Sequence, residues 1–286
     1  KEGRYSTATR VLEQAHQAIQ APVGQETTPL PTVEEAKSIL LALNPIASSE
    51  DILPAPSAEE GSDPFTFSSE DVQRCIRDLP KGSANGASGW SYNVIHQLYA
   101  HPSEQGDMHL NALAMLFNNL ANGRLSNKRW VTSRAVLIPK PEQGKFRPIG
   151  IGEAWYRLLG RCILKQIGGE VGTRLTPLQM GCGVSGGSEI AARMAQLFLD
   201  AHPHHVLIKT DFKNAFNLTP RKLILQGLQR YCPRLIPWFR WAYAEPTPLV
   251  DAQGRVVGSS QTGCRQGDPL AALLFCVAIQ PSLIQV

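Results

Sequence analysis

No C-x-x-C pair occurs in the 286-residue sequence; its six cysteines, Cys75, Cys162, Cys182, Cys232, Cys264 and Cys276, are scattered. That spacing suggests neither a zinc site nor a disulfide framework, and a reducing compartment fits it best. No apolar stretch approaches the roughly 18 uncharged residues that a membrane span needs. There is no repeat at solenoid spacing and no signal-peptide pattern. The chain opens at Lys1 without a methionine, so the expectation is that the true N-terminus is absent and that targeting is unreadable.

What is present is 43% hydrophobic residues, enough to bury a substantial core in one large domain or two small ones. The charge is unevenly placed. Residues 1–70 carry 4 Lys and Arg against 11 Asp and Glu, whereas the remainder carries 24 against 13. The stretch "NPIASSEDILPAPSAEEGSDPF" buries little apolar surface and reads as a linker. Residues 1–67 are therefore expected to form an acidic, partly helical or disordered segment. The basic remainder is compatible with a polyanion partner, although surface cations that serve only solubility explain such an excess about as often.

From residue 68 the punctuation is regular. "SSEDVQRCIRDLPKG" has a capping serine, an aspartate three positions on, and Val72, Cys75, Ile76 and Leu79 on one face, which predicts a helix. Further helices follow from the spacing in "MHLNALAMLFNNLANG", "EAWYRLLGRCILKQIG" and "SEIAARMAQLFLDA". "RAVLIPKP" and "HVLIKTDF" read as strands, and "PLVDAQGRVVG" as a hairpin. Near the C-terminus Gly267 allows a turn, Asp268 suits an N-cap and Pro269 the first helical position. Asp211 then stands at a strand end before a turn, where an isolated aspartate is more often a cap than a ligand.

The combination outweighs the single residues. "LPKGSANGASGW", "LIPKPEQGKFRPIGIGEAWYRLLGR", "QMGCGVSGGSEIAARMA", "KTDFKNAFN" and "GCRQGDPLAALLF" occur in the order, and with about the spacing, of reverse transcriptases. The sequence resembles most the reverse transcriptase domains of non-LTR retrotransposons, over roughly residues 70–286.

The resemblance implies an α+β right-hand polymerase fold with fingers (68–205) and a partial palm (206–286), the thumb being absent. It implies extension of a DNA primer on an RNA template with deoxynucleotide triphosphates. Two Mg²⁺ ions would clamp both ends of the displacement, and such hard cations take carboxylate and phosphate oxygens. On this resemblance Asp211 is the first metal-bridging acid, with the backbone carbonyl of Phe212 beside it. Lys140 and Arg147 are the cations for the triphosphate, an arginine being suited to stack on a base and fork onto phosphate oxygens. Phe216 is the gate against a 2′-hydroxyl, Gln266 lies against the incoming nucleotide, and Gly267 is a close-approach glycine. Gly181 and Gly183 are weaker matches near the template. Each residue has a plainer reading: Lys140, Arg147 and Lys145 as solvated loop charges, Phe216 as core. His202, His204 and His205 are better explained by a polar loop than by a metal site. A nuclear, intracellular setting is implied if the element is an active eukaryotic one, with no membrane partner.

Two departures stand out. The opening block usually carries aspartate where this chain has Ser88, and Ala271 replaces a frequent serine. The family's paired-aspartate turn is expected shortly after the QGDP helix, and no such turn occurs in these residues. The chain alone is therefore expected not to polymerise, its missing palm and thumb belonging to a full-length protein. The alternative is a domesticated, non-catalytic RNA-binding or scaffold module derived from a reverse transcriptase.

Overall fold

Helices start here at side chains that close the open backbone amides. In the computed structural model, which describes residues 31–57, 60, 61, 63–99, 104–140, 142 and 144–285, Thr32 and Glu35 form a capping box on α1 (Val33–Leu43). Ser68 does the same for α2 (Ser69–Arg77): its hydroxyl accepts the Asp71 amide at 3.2 Å while Asp71 takes the Ser68 amide at 3.1 Å. Each reciprocal pair satisfies two donors that the first turn leaves free. The apolar face of α2, Val72, Cys75 and Ile76, is buried together with Leu79. The first 30 residues of the acidic segment lie outside the described residues.

Ser91 caps α3 (Tyr92–Leu98). Helix α4 (Glu104–Ala121) buries Leu110, Leu113, Ala114, Phe117 and Leu120. Its last turns also supply Asn118 and Asn122, whose side chains pair with both backbone groups of Phe67 and of Phe65, an extended segment with no strand neighbour of its own. Helix α5 (Ala154–Leu175) runs through the core and is buried along its length, from Leu158 and Leu159 to Val171 and Leu175. After the single turn α7 (Ala215–Leu218) come α8 (Arg221–Tyr231), α9 (Ile236–Tyr243) and α10 (Ala271–Ile284). Helices α8 and α10 touch backbone to backbone at Gly227, where a Cβ would lie 2.3 Å from the Val277 carbonyl oxygen.

Four strands make one sheet in the order β2-β1-β3-β4. β1 (Ser133–Pro139) and β2 (Phe146–Gly152) are antiparallel from Ser133↔Gly152 to Pro139↔Phe146. β3 (Thr247–Val250) and β4 (Val256–Ser260) form the second hairpin, with a register irregularity at Leu249/Val250. The two hairpins meet through a parallel contact of two pairs, Ser133↔Leu249 and Arg134↔Val250. The chain is thus a mixed α/β protein with a four-stranded sheet.

One expectation differs from the structure. The run "HVLIKTDF" forms no strand: residues 205–212 are irregular, and Val206, Leu207 and Ile208 are 82%, 65% and 80% exposed. A strand exists only where a neighbour takes up its backbone groups, and none of the four strands lies beside this run. Helix α6 (Gly187–Ala201) forms as expected but turns its apolar stripe outward, with Ile190, Met194, Leu197 and Phe198 between 41% and 68% exposed.

Asp268 also departs from the simple cap. Helix α10 begins only at Ala271, and the Asp268 Oδ1 accepts the Leu270 amide at 2.9 Å in the turn before it. The other carboxylate oxygen is the centre of a buried network, taking hydrogen bonds from the hydroxyls of Tyr156 and of Tyr243 (2.6 Å) and an ion pair from Arg265 at 3.3 Å. The Arg265 guanidinium also donates to the Val131 carbonyl (3.0 Å), the Thr247 hydroxyl (2.9 Å) and the Tyr156 hydroxyl (2.8 Å). Burial opposes the charge on Arg265, but Tyr243, Tyr156 and Asp268 outweigh it and leave its pKa raised. Burial, with Asp268 adding to it, pushes both tyrosine pKa values far up.

Removing one member strands the other charge. Arg265→Met is expected to destabilise the fold by about 3–5 kcal/mol, read from the urea midpoint, because Asp268 stays buried without its cation. A loss below about 1 kcal/mol would mean that the tyrosine hydroxyls alone hold the carboxylate.

Candidate functional site

The turn that carries the first sequence-assigned acid is fixed from behind. Asn214, at φ 51°, donates its side-chain amide to the Leu43 carbonyl at 2.8 Å. Asn217 donates to the same carbonyl at 3.1 Å and to the Asn44 side chain at 2.8 Å, so the end of α1 braces residues 214–217. In front of this brace Asp211 is exposed, and its carboxylate makes no hydrogen bond or ion pair among the described residues. Phe212 is 62% exposed, its ring 6.0 Å from that of Phe275. Phe216 is half-buried, edge-on to the same Phe275 at 5.5 Å.

Phe216 is tied to the QGDP turn through its backbone, its carbonyl accepting the Cys264 amide at 2.8 Å. Gln266 continues the connection: its carbonyl takes the Gly150 amide of β2 at 2.7 Å. Gly267 has φ 117°, and a Cβ there would lie 2.6 Å from the Gly150 carbonyl oxygen and 3.3 Å from Ile149 Cγ2. Glycine is required on both counts, conformation and space. Asn44, Pro148, Gly150, Asn217 and Gln266 line a narrow crevice at this junction.

The same β2 carries Arg147, opposite Ile138 of β1, with Lys140 just beyond the end of β1. The alternation of the strand sets Arg147 on the outward face with Ile149, while Phe146, Pro148 and Gly150 face inward. Neither the Lys140 nor the Arg147 side chain has a hydrogen-bond or ion-pair partner among the described residues. Lys145, by contrast, is paired with Glu142, whose carboxyl pKa it lowers. Gln266 and Gly267 therefore lie against the hairpin that bears Lys140 and Arg147, Phe216 is joined to that turn through Cys264, and Asp211 and Phe212 stand on the adjoining exposed segment.

Other residues serve packing. Gly183, at φ 72°, lies against α5, where a Cβ would meet the Gly168 carbonyl oxygen at 2.3 Å, whereas Gly181 faces open space. His202 donates from Nδ1 to the Phe198 carbonyl at 2.9 Å and stacks on the Phe198 ring. Among the described residues no group of three or more His, Cys, Asp or Glu is placed to hold a metal ion. One exposed carboxylate does not fit a two-magnesium clamp, which needs several oxygen ligands around each ion.

Ser88, the departure in the opening block, has a defined role. Its amide donates to Glu153 Oε1 at 2.8 Å and its hydroxyl to Oε2. An aspartate at 88 would set a second carboxylate against Glu153, so the hydroxyl suits the acid it faces. Sequence reasoning missed this partner, and it missed Arg157 and Arg161, whose spacing within "YRLLGR" looked like part of an ordinary helix.

No protein-family model matches the chain. Two curated proteins are similar to it. The retrotransposable element SLACS 132 kDa protein of Trypanosoma brucei gambiense is 24% identical over 240 residues, 81% of this chain and 20% of that protein. The retrovirus-related Pol polyprotein from type-1 retrotransposable element R2 of Nasonia vitripennis is 29% identical over 177 residues, 57% of this chain and 17% of that protein. The chain is similar to retrotransposon proteins. Its resemblance to a reverse transcriptase domain of the non-LTR kind therefore stands, and it spans about a fifth of the length of the relatives it matches.

The tight junction at Gly267 is testable. Gly267→Ala is expected to cost about 1–3 kcal/mol, from the strained backbone and the overlap with Gly150, and to lower the thermal midpoint measured by circular dichroism. An unchanged midpoint would show that the turn is free to lift off β2.

Proposed function

We propose that this chain supplies the fingers (68–205) and the first part of the palm (206–286) of an RNA-directed DNA polymerase. The observation that carries the reading is the backbone hydrogen bond from Gly150 to Gln266 at 2.7 Å, with Gly267 pressed on the same strand. It sets the QGDP turn against the hairpin that presents two cations, Lys140 and Arg147, without an ion-pair partner among the described residues. Such a surface suits a nucleotide: guanidinium and ammonium for the phosphates, the Gln266 side for the base and sugar, and Phe216 behind them.

The acid end is incomplete in these residues, and the reading accounts for that. Residues 206–212 would become a palm strand when further palm strands lie beside them, and Val206, Leu207 and Ile208 with the outward stripe of α6 form apolar surface for such polypeptide to cover. Asp211, braced through Asn214 and Asn217 yet free at its carboxylate, would then stand among further acids able to hold magnesium. What magnesium would supply, when bound, is positive charge that stabilises the negative charge on the nucleophile and leaving-group oxygens. The chain's own contribution is the position of Asp211 and the cations opposite. RNA template, DNA primer and deoxynucleotide triphosphates are the partners of this reading.

Primer extension by the 286-residue chain with Mg²⁺ is expected to equal that of its Asp211→Ala variant. Incorporation well above the variant would overturn the expected inactivity. In a longer protein containing the paired-aspartate turn, Arg147→Ala is expected to weaken deoxynucleotide binding about tenfold or more with an unchanged melting temperature. Equal affinity would remove Arg147 from the site. If the longer protein, too, binds RNA without incorporation, the domesticated RNA-binding module becomes the better account.

A further inference from the structure

A cavity of about 410 Å³ opens on the other side of the QGDP turn from the Gln266 crevice, between Pro80 and Ser83 of the opening loop, Tyr92 of α3, Arg157 and Arg161 of α5, and the Gly267–Pro269 turn. No acidic residue lines it. Its most buried cation is Arg157, 8% exposed. One guanidinium nitrogen of Arg157 donates to the Ser83 hydroxyl at 2.7 Å and another to the Ala84 carbonyl at 2.6 Å, but Nε is buried without a partner. An orphaned, charged donor inside a protein costs free energy unless something accepts from it. Arg161, one helical turn on, makes no hydrogen bond or ion pair among the described residues.

Both guanidiniums lie on one ring. The Arg157 carbon is 4.5 Å and the Arg161 carbon 5.9 Å from the centre of Tyr92. Burial lowers the Arg157 pKa, and Arg161 adds to the lowering while Tyr92 opposes it. The remaining ionised neighbours of Arg157 are Glu153, occupied by Ser88, and Arg134, whose Nε donates to the Asn85 carbonyl. Three guanidiniums thus face one carboxylate, and an anion placed between Arg157 and Arg161 relieves their repulsion.

We propose that this cavity is a phosphodiester site that holds one nucleotide unit of a single nucleic-acid strand, separate from the pocket for the incoming nucleotide. The volume falls in the range of about 300–1,000 Å³ that small-molecule sites occupy. Arg157 and Arg161 take the phosphate, and Pro80, Leu164 and Pro269 give apolar walls to a sugar or base. A triphosphate is the poorer fit, since it brings several more charges and a metal ion for which the cavity offers no acidic ligand. The choice of a strand as ligand rests on the polymerase reading; the anion site itself does not.

The experiment is fluorescence anisotropy of a short single-stranded RNA with the full 286-residue chain, over roughly 50 to 200 mM salt. Arg161→Gln is expected to bind about tenfold more weakly, with a salt slope shallower by about 0.7, the share of one single-strand phosphate. The control is Arg230→Gln, which removes an equal charge from α8, outside the cavity lining; it should bind as the unaltered chain does. Should the glutamine variant fail to fold, Pro80→Glu, which adds an acid at the exposed rim, is expected to give the same loss. Equal binding by the unaltered chain and these cavity variants would overturn the site, as would an equal loss in Arg230→Gln. Uridine monophosphate binding that is lost in Arg161→Gln while strand affinity stays intact would also overturn it, in favour of a free nucleotide. A chain that binds no single strand at all would instead remove the polymerase reading.

Discussion

One buried ion pair organises this protein. Arg265 and Asp268 lie three residues apart in the turn before α10, yet their hydrogen bonds reach α5 through Tyr156, α9 through Tyr243, the short turn two residues before β1 through Val131 and the start of β3 through Thr247. A charge taken out of water is tolerated only where it is paired and its remaining donors are filled. Here the guanidinium satisfies that condition by gathering four elements, so the turn occupies one position relative to the sheet. The close packing of Gly267 on Gly150 and the hydrogen bond to Gln266 follow from that position. So do the two openings on either side of the turn, one beside Gln266 and one beside Gly267 and Pro269.

Much of the local structure was legible because it is written in adjacent residues. Ser68 with Asp71 announced α2, the Val72, Cys75, Ile76 and Leu79 spacing announced its buried face, and "DAQG" between two apolar runs announced the second hairpin. What failed depends on distant partners. The run at 206–212 has strand composition, but a strand is a property of two segments, and no neighbour lies beside it. Helix α6 formed as its spacing predicts, although periodicity tells which residues share a face and not what the face meets. Asp268 read as a cap because its short-range chemistry is that of a turn; the two tyrosines and the arginine that complete it arrive from elsewhere in the fold or across the turn.

The candidate site shows the same division. Motif order directed attention to Phe216, Gln266 and Gly267; Gln266 and Gly267 lie against the strand that carries Arg147, and Phe216 is bonded through its backbone to Cys264. Arg157 and Arg161 were passed over because their i, i+4 spacing within an apolar helix resembles any helix with a wet edge. Only the fold reveals that both lie on Tyr92 beside a cavity, and that Ser88 engages the nearest acid, Glu153, through two hydrogen bonds.

The parallel seam between the hairpins has a mechanical consequence. Two residue pairs join β1 to β3, and the Arg265 guanidinium rivets the seam from one side by holding Val131 and Thr247. From there the first hairpin extends as a lever, its tip cations lying roughly 20 Å away at about 3.3 Å per residue. On an arm of that length a swing of a few degrees at the rivet carries the tip about an ångström, so reach at the far end is governed by stiffness at a single buried point.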